Sequence, residues 1–176
     1  YICWAAQAAM HHFYGINKVE LPKKIFGVFK HIAHDKKHPL FRGFDDEFYI
    51  PHSRHTTVEK DEILRERELT ILAESPESGV GIITSRGGRE FYLTGHSEYA
   101  PYTLHNEYIR DAEKGLPIDL PINYYRDDNP QNPPFIKWAG HGNLLFNNWL
   151  NYYVYQETPF EKTEIANLEN IQPIGE

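Results

Sequence analysis

The sequence predicts an α/β fold, a sheet with flanking helices, and three observations predict it. A helix-forming run follows an apolar Tyr1-Ile2 that reads as the tail of a buried strand. A series of short segments rich in β-branched and aromatic residues, punctuated by turn signals, comes next. Two further segments carry apolar residues at helical spacing. At 176 residues and 40% hydrophobic content the chain suffices for one domain with a sizeable core.

Ala5 to Tyr14 suits the first helix, with His11 and His12 in its last turn and Gly15 placed to cap it. Residues 25–33, "IFGVFKHIA", and 47–51, "EFYIP", read as strands separated by the turn-rich "FRGFDD". "ELTILAES" and "GVGIITS" read as two more, and Gly87-Gly88 reads as a hairpin turn feeding a strand that ends at Gly95-His96. Between Thr103 and Lys114, Leu104, Tyr108 and Ala112 recur every four residues, and Gly115 closes a second helix. Residues 117–134, "PIDLPINYYRDDNPQNPP", form a loop of a length that is uncommon without function. "HGNLLFNNWLNYYVYQ" restores helical spacing, with Trp149, Tyr152, Tyr153 and Tyr155 expected mainly as a core-facing stripe. Beyond Phe160 periodicity is lost, and residues 161–176 are expected as a frayed tail.

The formal net charge is −7 and the basic residues are scattered in short groups, which argues against nucleic acid or an anionic membrane as partner. No run approaches the roughly 20 apolar residues needed to span a bilayer. A single cysteine excludes an intrachain disulfide and multi-cysteine zinc sites, and makes a reducing cytoplasm the simplest compartment. His31, His34 and His38 have a spacing open to a metal, but no acidic or cysteine ligand is placed with them, so no metal is expected.

That cysteine, Cys3, stands at the predicted strand-to-helix turn. The first helical turn directs unpaired N–H groups and the positive end of its dipole at a thiolate, and the backbone N–H of Trp4 is placed to stabilise an oxyanion. The plain alternative is a small buried apolar residue. "TGHSEY" supplies a second element: His96 and Glu98, two apart at a strand end, place both side chains on one side of an extended backbone. Glu98 would orient His96, and His96 would serve the thiol as base.

"YICWAAQAAMHHFYGI", "GVFKH", "PHSRHT", "TGHSEY", "DNPQNPP" and "HGNLLFNNWLNYYVYQETPF", in that order, resemble the homoserine O-acyltransferase family, the O-succinyl- and O-acetyltransferases of methionine biosynthesis. The resemblance covers the chain to about Phe160. It implies a class I glutamine amidotransferase-like, flavodoxin-like sheet, with Cys3 as acyl-thioester nucleophile, His96 as proton acceptor and Glu98 as its partner. It also implies Lys24, Ser53 and Arg110 as substrate contacts, each with a plainer reading as loop charge, turn residue and helix-surface ion pair. L-Homoserine and acetyl- or succinyl-coenzyme A are the implied substrates, with no further cofactor, and a homodimer is the implied assembly. "HSEY" and "PHSRHT" lean toward the acetyl donor. The sequence begins without Met just before the turn, and the resemblance makes residues 1–176 the C-terminal part of a single acyltransferase domain whose N-terminal half is missing. Two rival readings stand beside this one. A glutamine amidotransferase shares Cys3, Gln7 and the downstream H-x-E, although Tyr1 and Ala5 replace both glycines of its G-x-C-x-G-x-Q elbow. An inactive fragment or binding module is the other.

Overall fold

The computed structural model describes residues 1–158. Ile2 bridges Leu93 in parallel and the chain then turns at once into helix α1 (Trp4–Tyr14). The alanine-rich α1 buries Ala6, Gln7, Ala9 and Met10. It ends as expected at Gly15, whose φ of 70° is open to glycine and whose N–H donates to the His11 carbonyl at 2.9 Å.

Five strands follow: β1 (Lys18–Ala33), β2 (Phe48–Val58), β3 (Leu69–Ser75), β4 (Gly79–Ser85) and β5 (Phe91–Leu93). They form one sheet in the order β2-β1-β3-β4-β5, and every pair of named strands is antiparallel. The parallel component of the predicted class is confined to the Ile2–Leu93 bridge and a second bridge between Gly27 and Ile122. β3, β4 and the hairpin at Gly87-Gly88 lie within a residue of expectation, both glycines having positive φ. β1 and β2 are longer than expected. Their ends, "KVELPKK" and "HSRHTT", are mostly polar and lie outside the segments that read as strands, and pairing with each other extends the strands from Lys18↔Val58 to His31↔Phe48. The register shifts between Glu20 and Ile25, so the intervening Leu21-Pro22-Lys23-Lys24 departs from the regular ladder. Helix α2 (Lys60–Arg65) is too short for a period to announce it and was not expected.

Helices α3 (Thr103–Glu113) and α4 (Ala139–Trp149) complete the described chain. The single helix expected over 141–156 is α4 followed by a wider π-type turn, Leu150–Tyr155. The core-facing aromatic stripe expected here is corrected. Trp149 is 40% and Tyr155 75% exposed, and Tyr153 is the stripe member packed into the core, its ring 4.7 Å from that of Phe91. The tail expected at 161–176 lies outside the described residues.

The loop at 117–134 is irregular, as expected, but firmly attached. Ile122 donates its N–H to the Phe26 carbonyl at 3.0 Å and accepts from the Val28 N–H at 2.8 Å. Gly27 permits this approach: its φ is 145°, and a Cβ there would overlap the Ile122 backbone. Tyr124, Tyr125 and Trp138 are thereby buried against Phe26, Val28 and Leu104, which fixes α3 beside the middle of β1 and β2. Among the described residues no helix is long and apolar enough to cross a membrane.

Candidate active site

Cys3 occupies the tight turn between Ile2 and α1 with φ 52° and ψ −116°. This is a left-handed conformation that costs a non-glycine residue roughly 1–3 kcal/mol and persists only when its surroundings enforce it. The surroundings are plain. Cys3 N–H donates to Leu93 O at 2.6 Å, Leu93 N–H donates to Tyr1 O at 2.9 Å, and the Tyr1 amino group donates to Phe91 O at 2.8 Å. On the helical side Ala6 and Gln7 donate to Cys3 O at 3.0 and 3.2 Å, and Ala5 donates to Ile2 O at 3.1 Å. Among the described residues the N–H of Trp4 is not used by these elbow bonds, so the donor expected to face an oxyanion is left available.

His96 and Glu98 meet, but not by strand alternation. β5 ends at Leu93, and residues 96–98 form a turn closed by Tyr99 N–H donating to His96 O at 3.3 Å. The turn, rather than a period of two, brings His96 Nδ1 to 2.6 Å from Glu98 Oε1. Its backbone is tied to β2 through His96 N–H and Pro51 O at 2.7 Å. The imidazole stacks on the Tyr99 ring at 4.1 Å. Burial works to push the His96 pKa down, but hydrogen bonding and charge from Cys3 and Glu98 outweigh it and raise the pKa to about 9. His96 therefore stands between thiol and carboxylate and holds a proton at neutral pH.

The other three expected residues converge on one carboxylate that the sequence reading did not mark. Lys24 Nζ and Ser53 Oγ donate to Glu107 Oε1 at 2.7 and 2.8 Å, and Arg110 Nη2 lies 3.8 Å from the same oxygen. Arg110 also pairs through Nε with Asp111 at 2.7 Å, so its helix-surface ion pairing is real as well. Lys24 reaches this point from the irregular stretch of β1, Ser53 from β2, and Glu107 and Arg110 from α3. Ser53, Glu107 and Arg110 border an open cleft shared with Tyr99, whose ring stacks on His96, and Lys24 reaches its edge through Glu107. Tyr99 thus joins the two groups, and its hydroxyl pKa is raised by burial and then by the charges of Glu107, Cys3 and Glu98.

A buried layer behind the elbow was also missed. Arg54 is only 4% exposed and donates to Thr56 O at 2.9 Å and, through Nε, to His52 Nδ1 at 3.4 Å. Burial pulls its pKa down to about 10, with Cys3 acting in the opposite direction. His52 and His31 stack at 5.3 Å, nearly parallel and fully buried, and both are held below the ordinary histidine range by burial. A polar strand residue whose neighbours come from other strands leaves no periodic signal. The three histidines weighed for a metal have separate partners: His31 the Phe29 carbonyl, His34 Glu74 and His38 the Tyr153 hydroxyl.

The fold resembles solved glutamine amidotransferases. One from Thermotoga maritima aligns with a TM-score of 0.57 at 15% identity, covering 85% of this chain and 60% of that one. One from Methylobacillus flagellatus gives 0.58 at 11% identity, covering 85% and 61%. Sequence similarity is closer elsewhere. The chain is 61% identical over 165 residues to the homoserine O-acetyltransferase of Phocaeicola vulgatus, covering 94% of this chain and 54% of that protein. It is 59% identical over 171 residues to the homoserine O-acetyltransferase of Parabacteroides distasonis, covering 97% and 55%. The chain thus spans about half the length of these curated relatives. The family model described as homoserine O-succinyltransferase matches residues 1–160. With residues 1–160 matched by the family model and nearly the whole chain aligned to these relatives at about 60% identity, the protein belongs to the homoserine O-succinyltransferase family.

Proposed function

We propose that the protein transfers an acyl group from an acyl-coenzyme A to the γ-hydroxyl of L-homoserine through a thioester on Cys3. The observation that carries this reading is the grouping of Cys3, His96 and Glu98 at a strained strand-to-helix elbow near a cleft bearing Ser53 and Arg110, with Lys24 tied to the same Glu107. Acetyl is the favoured donor, in keeping with the names of the relatives at 61% and 59% identity, whereas the matching family model carries the succinyl name.

In the first half-reaction His96 already holds the proton taken from Cys3, and the Cys3 sulfur attacks the thioester carbonyl. The negative charge that develops on the carbonyl oxygen is met by the free Trp4 N–H at the start of α1. Collapse of the tetrahedral adduct breaks the bond to the coenzyme A sulfur, which takes the proton from His96. In the second half-reaction the now neutral His96 accepts the γ-hydroxyl proton as the oxygen attacks the acyl-cysteine. Release of O-acyl-L-homoserine leaves the Cys3 sulfur beside a His96 that again holds the proton. Glu98 holds the imidazole in one tautomer and offsets its charge at each transfer. Arg110 and Lys24 are the cations available to the homoserine carboxylate, and Ser53 is a hydrogen-bond partner between them.

Intact-mass measurement of the full-length protein after exposure to acetyl- or succinyl-coenzyme A without homoserine tests the scheme. An acyl adduct on Cys3 that disappears when homoserine is added is expected. No adduct with either donor, or an adduct that persists in Cys3→Ala, refutes it. Release of ammonia from glutamine, with no acyl adduct, would instead identify the chemistry as that of an amidotransferase.

A further inference from the structure

The turn that carries His96 is held by consecutive residues of β2. His96 N–H donates to the Pro51 carbonyl at 2.7 Å. The next side chain along β2, His52, is fully buried, and its ring fills the space where Gly95 would carry a side chain. A Cβ on Gly95 would lie 2.6 Å from His52 Nε2 and 2.7 Å from Cε1, well inside van der Waals contact. The backbone entering His96 thus rests directly on an imidazole. Thr94, one residue earlier, is tied instead to β4, its N–H donating to Gly81 O at 2.9 Å and its hydroxyl to Val80 O at 2.6 Å.

His52 is itself fixed from three sides. Its ring lies flat on that of His31 at 5.3 Å, and the Phe29 ring meets it at nearly a right angle at 5.7 Å. On the third side Nδ1 accepts from Arg54 Nε at 3.4 Å. A guanidinium has no acceptor to offer, so Nδ1 carries the lone pair and the proton of the neutral ring lies on Nε2. Arg54 is anchored in turn, its Nη1 and Nη2 donating to Thr56 O at 2.9 Å and Ser78 O at 2.5 Å. Nε2 of His52, beside Gly95, makes no hydrogen bond among the described residues. A phenyl ring would fill the same space without that unpaired buried donor, but it would leave Arg54 Nε without an acceptor. A second proton on His52 would face Arg54 on its own strand, His31 on β1 and the charged His96. Burial first, and then His31, Arg54 and His96, hold its pKa well below the ordinary histidine value.

We infer that His52 is the positioning residue of the catalytic base: fixed in one tautomer by Arg54, its ring seats Gly95 and thereby sets where His96 stands between Cys3 and Glu98. The inference rests on the role given to His96 above and deepens it. Because His52 is fully buried, its effect on the reaction passes through His96.

The test is a size exchange in the full-length protein. Gly95→Ala drives a methyl group against the ring, and His52→Ala removes the ring. Each is expected to lower kcat roughly 10–100-fold while the KM for L-homoserine changes less than about threefold. In the double variant the methyl group enters the space the ring vacated, and the loss is expected to be at least about tenfold smaller than the product of the two single losses. The His96 titration, followed by NMR of the imidazole, is expected to fall from about 9 toward about 6.5 in both single variants as the contacts with Cys3 and Glu98 loosen. Losses that multiply, or a His96 titration that does not move in folded Gly95→Ala, overturn the inference, and His52 is then core filling that acts on stability alone. Should His52→Ala not fold, Gly95→Ala decides by the same titration, because Arg54 and His52 are unsubstituted in it. If the unsubstituted protein accepts no acyl group from either donor, the transfer reading falls, and the titrations still decide whether His52 places His96.

Discussion

Cys3 carries a physical cost that the surrounding structure sustains, and His96 a charge that its partners stabilise. At Cys3 the cost is a φ of 52°, stored in a turn fixed by hydrogen bonds on both sides. Glycine adopts this conformation freely but loses more chain entropy on folding. Cys3→Gly is therefore expected to raise stability, by up to about 2 kcal/mol in denaturant unfolding, while abolishing the acyl adduct. At His96 the raised pKa of about 9 comes from Cys3 and Glu98 acting against burial. Glu98→Gln is expected to move that titration downward, as followed by NMR of the imidazole, and to reduce kcat far more than homoserine affinity. An unmoved titration, or equal losses in kcat and affinity, would mean that Glu98 acts elsewhere. Cys3, His96 and Glu98 were all legible in the sequence, because an elbow cysteine and an H-x-E are local patterns. Glu107 was not: it reads as one more charge on an amphipathic helix until Lys24 and Ser53 arrive from two strands.

Two glycines do at the scale of elements what no local pattern reveals. Gly142, inside α4, lies so close to the Ser97 carbonyl that a Cβ would overlap it, and α4 is thereby seated on the turn that carries His96 and Glu98. Gly142→Ala is expected to displace that turn and lower turnover at least about tenfold, with a cost to stability of about 1–3 kcal/mol. Crystallographic comparison of the His96–Glu98 contact in the variant checks the cause. Gly27 plays the same part for the 117–134 loop, whose Ile122 bonds to both neighbours of Gly27 and buries the tyrosines behind α3. The strand boundaries at β1 and β2 show the limit of pattern reading most clearly. Alternation found residues 25–33 and 47–51, whereas the polar continuation that brings Lys24 and Ser53 to Glu107 exists because the two strands pair with each other.

Across the whole molecule, histidines of opposite character set the response to pH. His31, buried and neutral, has its pKa lowered to about 4, and His52 beside it is lowered well below the ordinary value. For each, the unfolded chain binds the proton first as pH falls below about 6.5, so stability decreases through the acid range. His31 alone contributes a loss of about 3 kcal/mol between pH 6.5 and 4. His96 has the reverse sign. Its folded pKa lies above the unfolded value, so its contribution is complete below about pH 6.5 and is lost as pH rises toward 9. Denaturant midpoints are therefore expected to peak near pH 6.5 and to fall on both sides. Glu98→Gln should flatten the alkaline limb, and His31→Phe the acid limb. A profile that is level from pH 5 to 9 would contradict both assignments.

By itself the sequence determined the α/β class, the cysteine at the elbow and the H-x-E pair, and it proposed three residues as substrate contacts, because each is a local pattern or part of a long ordered match to a family. Only the tertiary structure decided that Lys24, Ser53 and Arg110 converge on Glu107, that Tyr99 joins that group to His96, and that Arg54 and two neutral histidines lie beneath the elbow. These are contacts between residues far apart in the chain, made by side chains whose own segments give no sign of a partner. Their positions follow from strand register and from two close glycine approaches rather than from any periodicity.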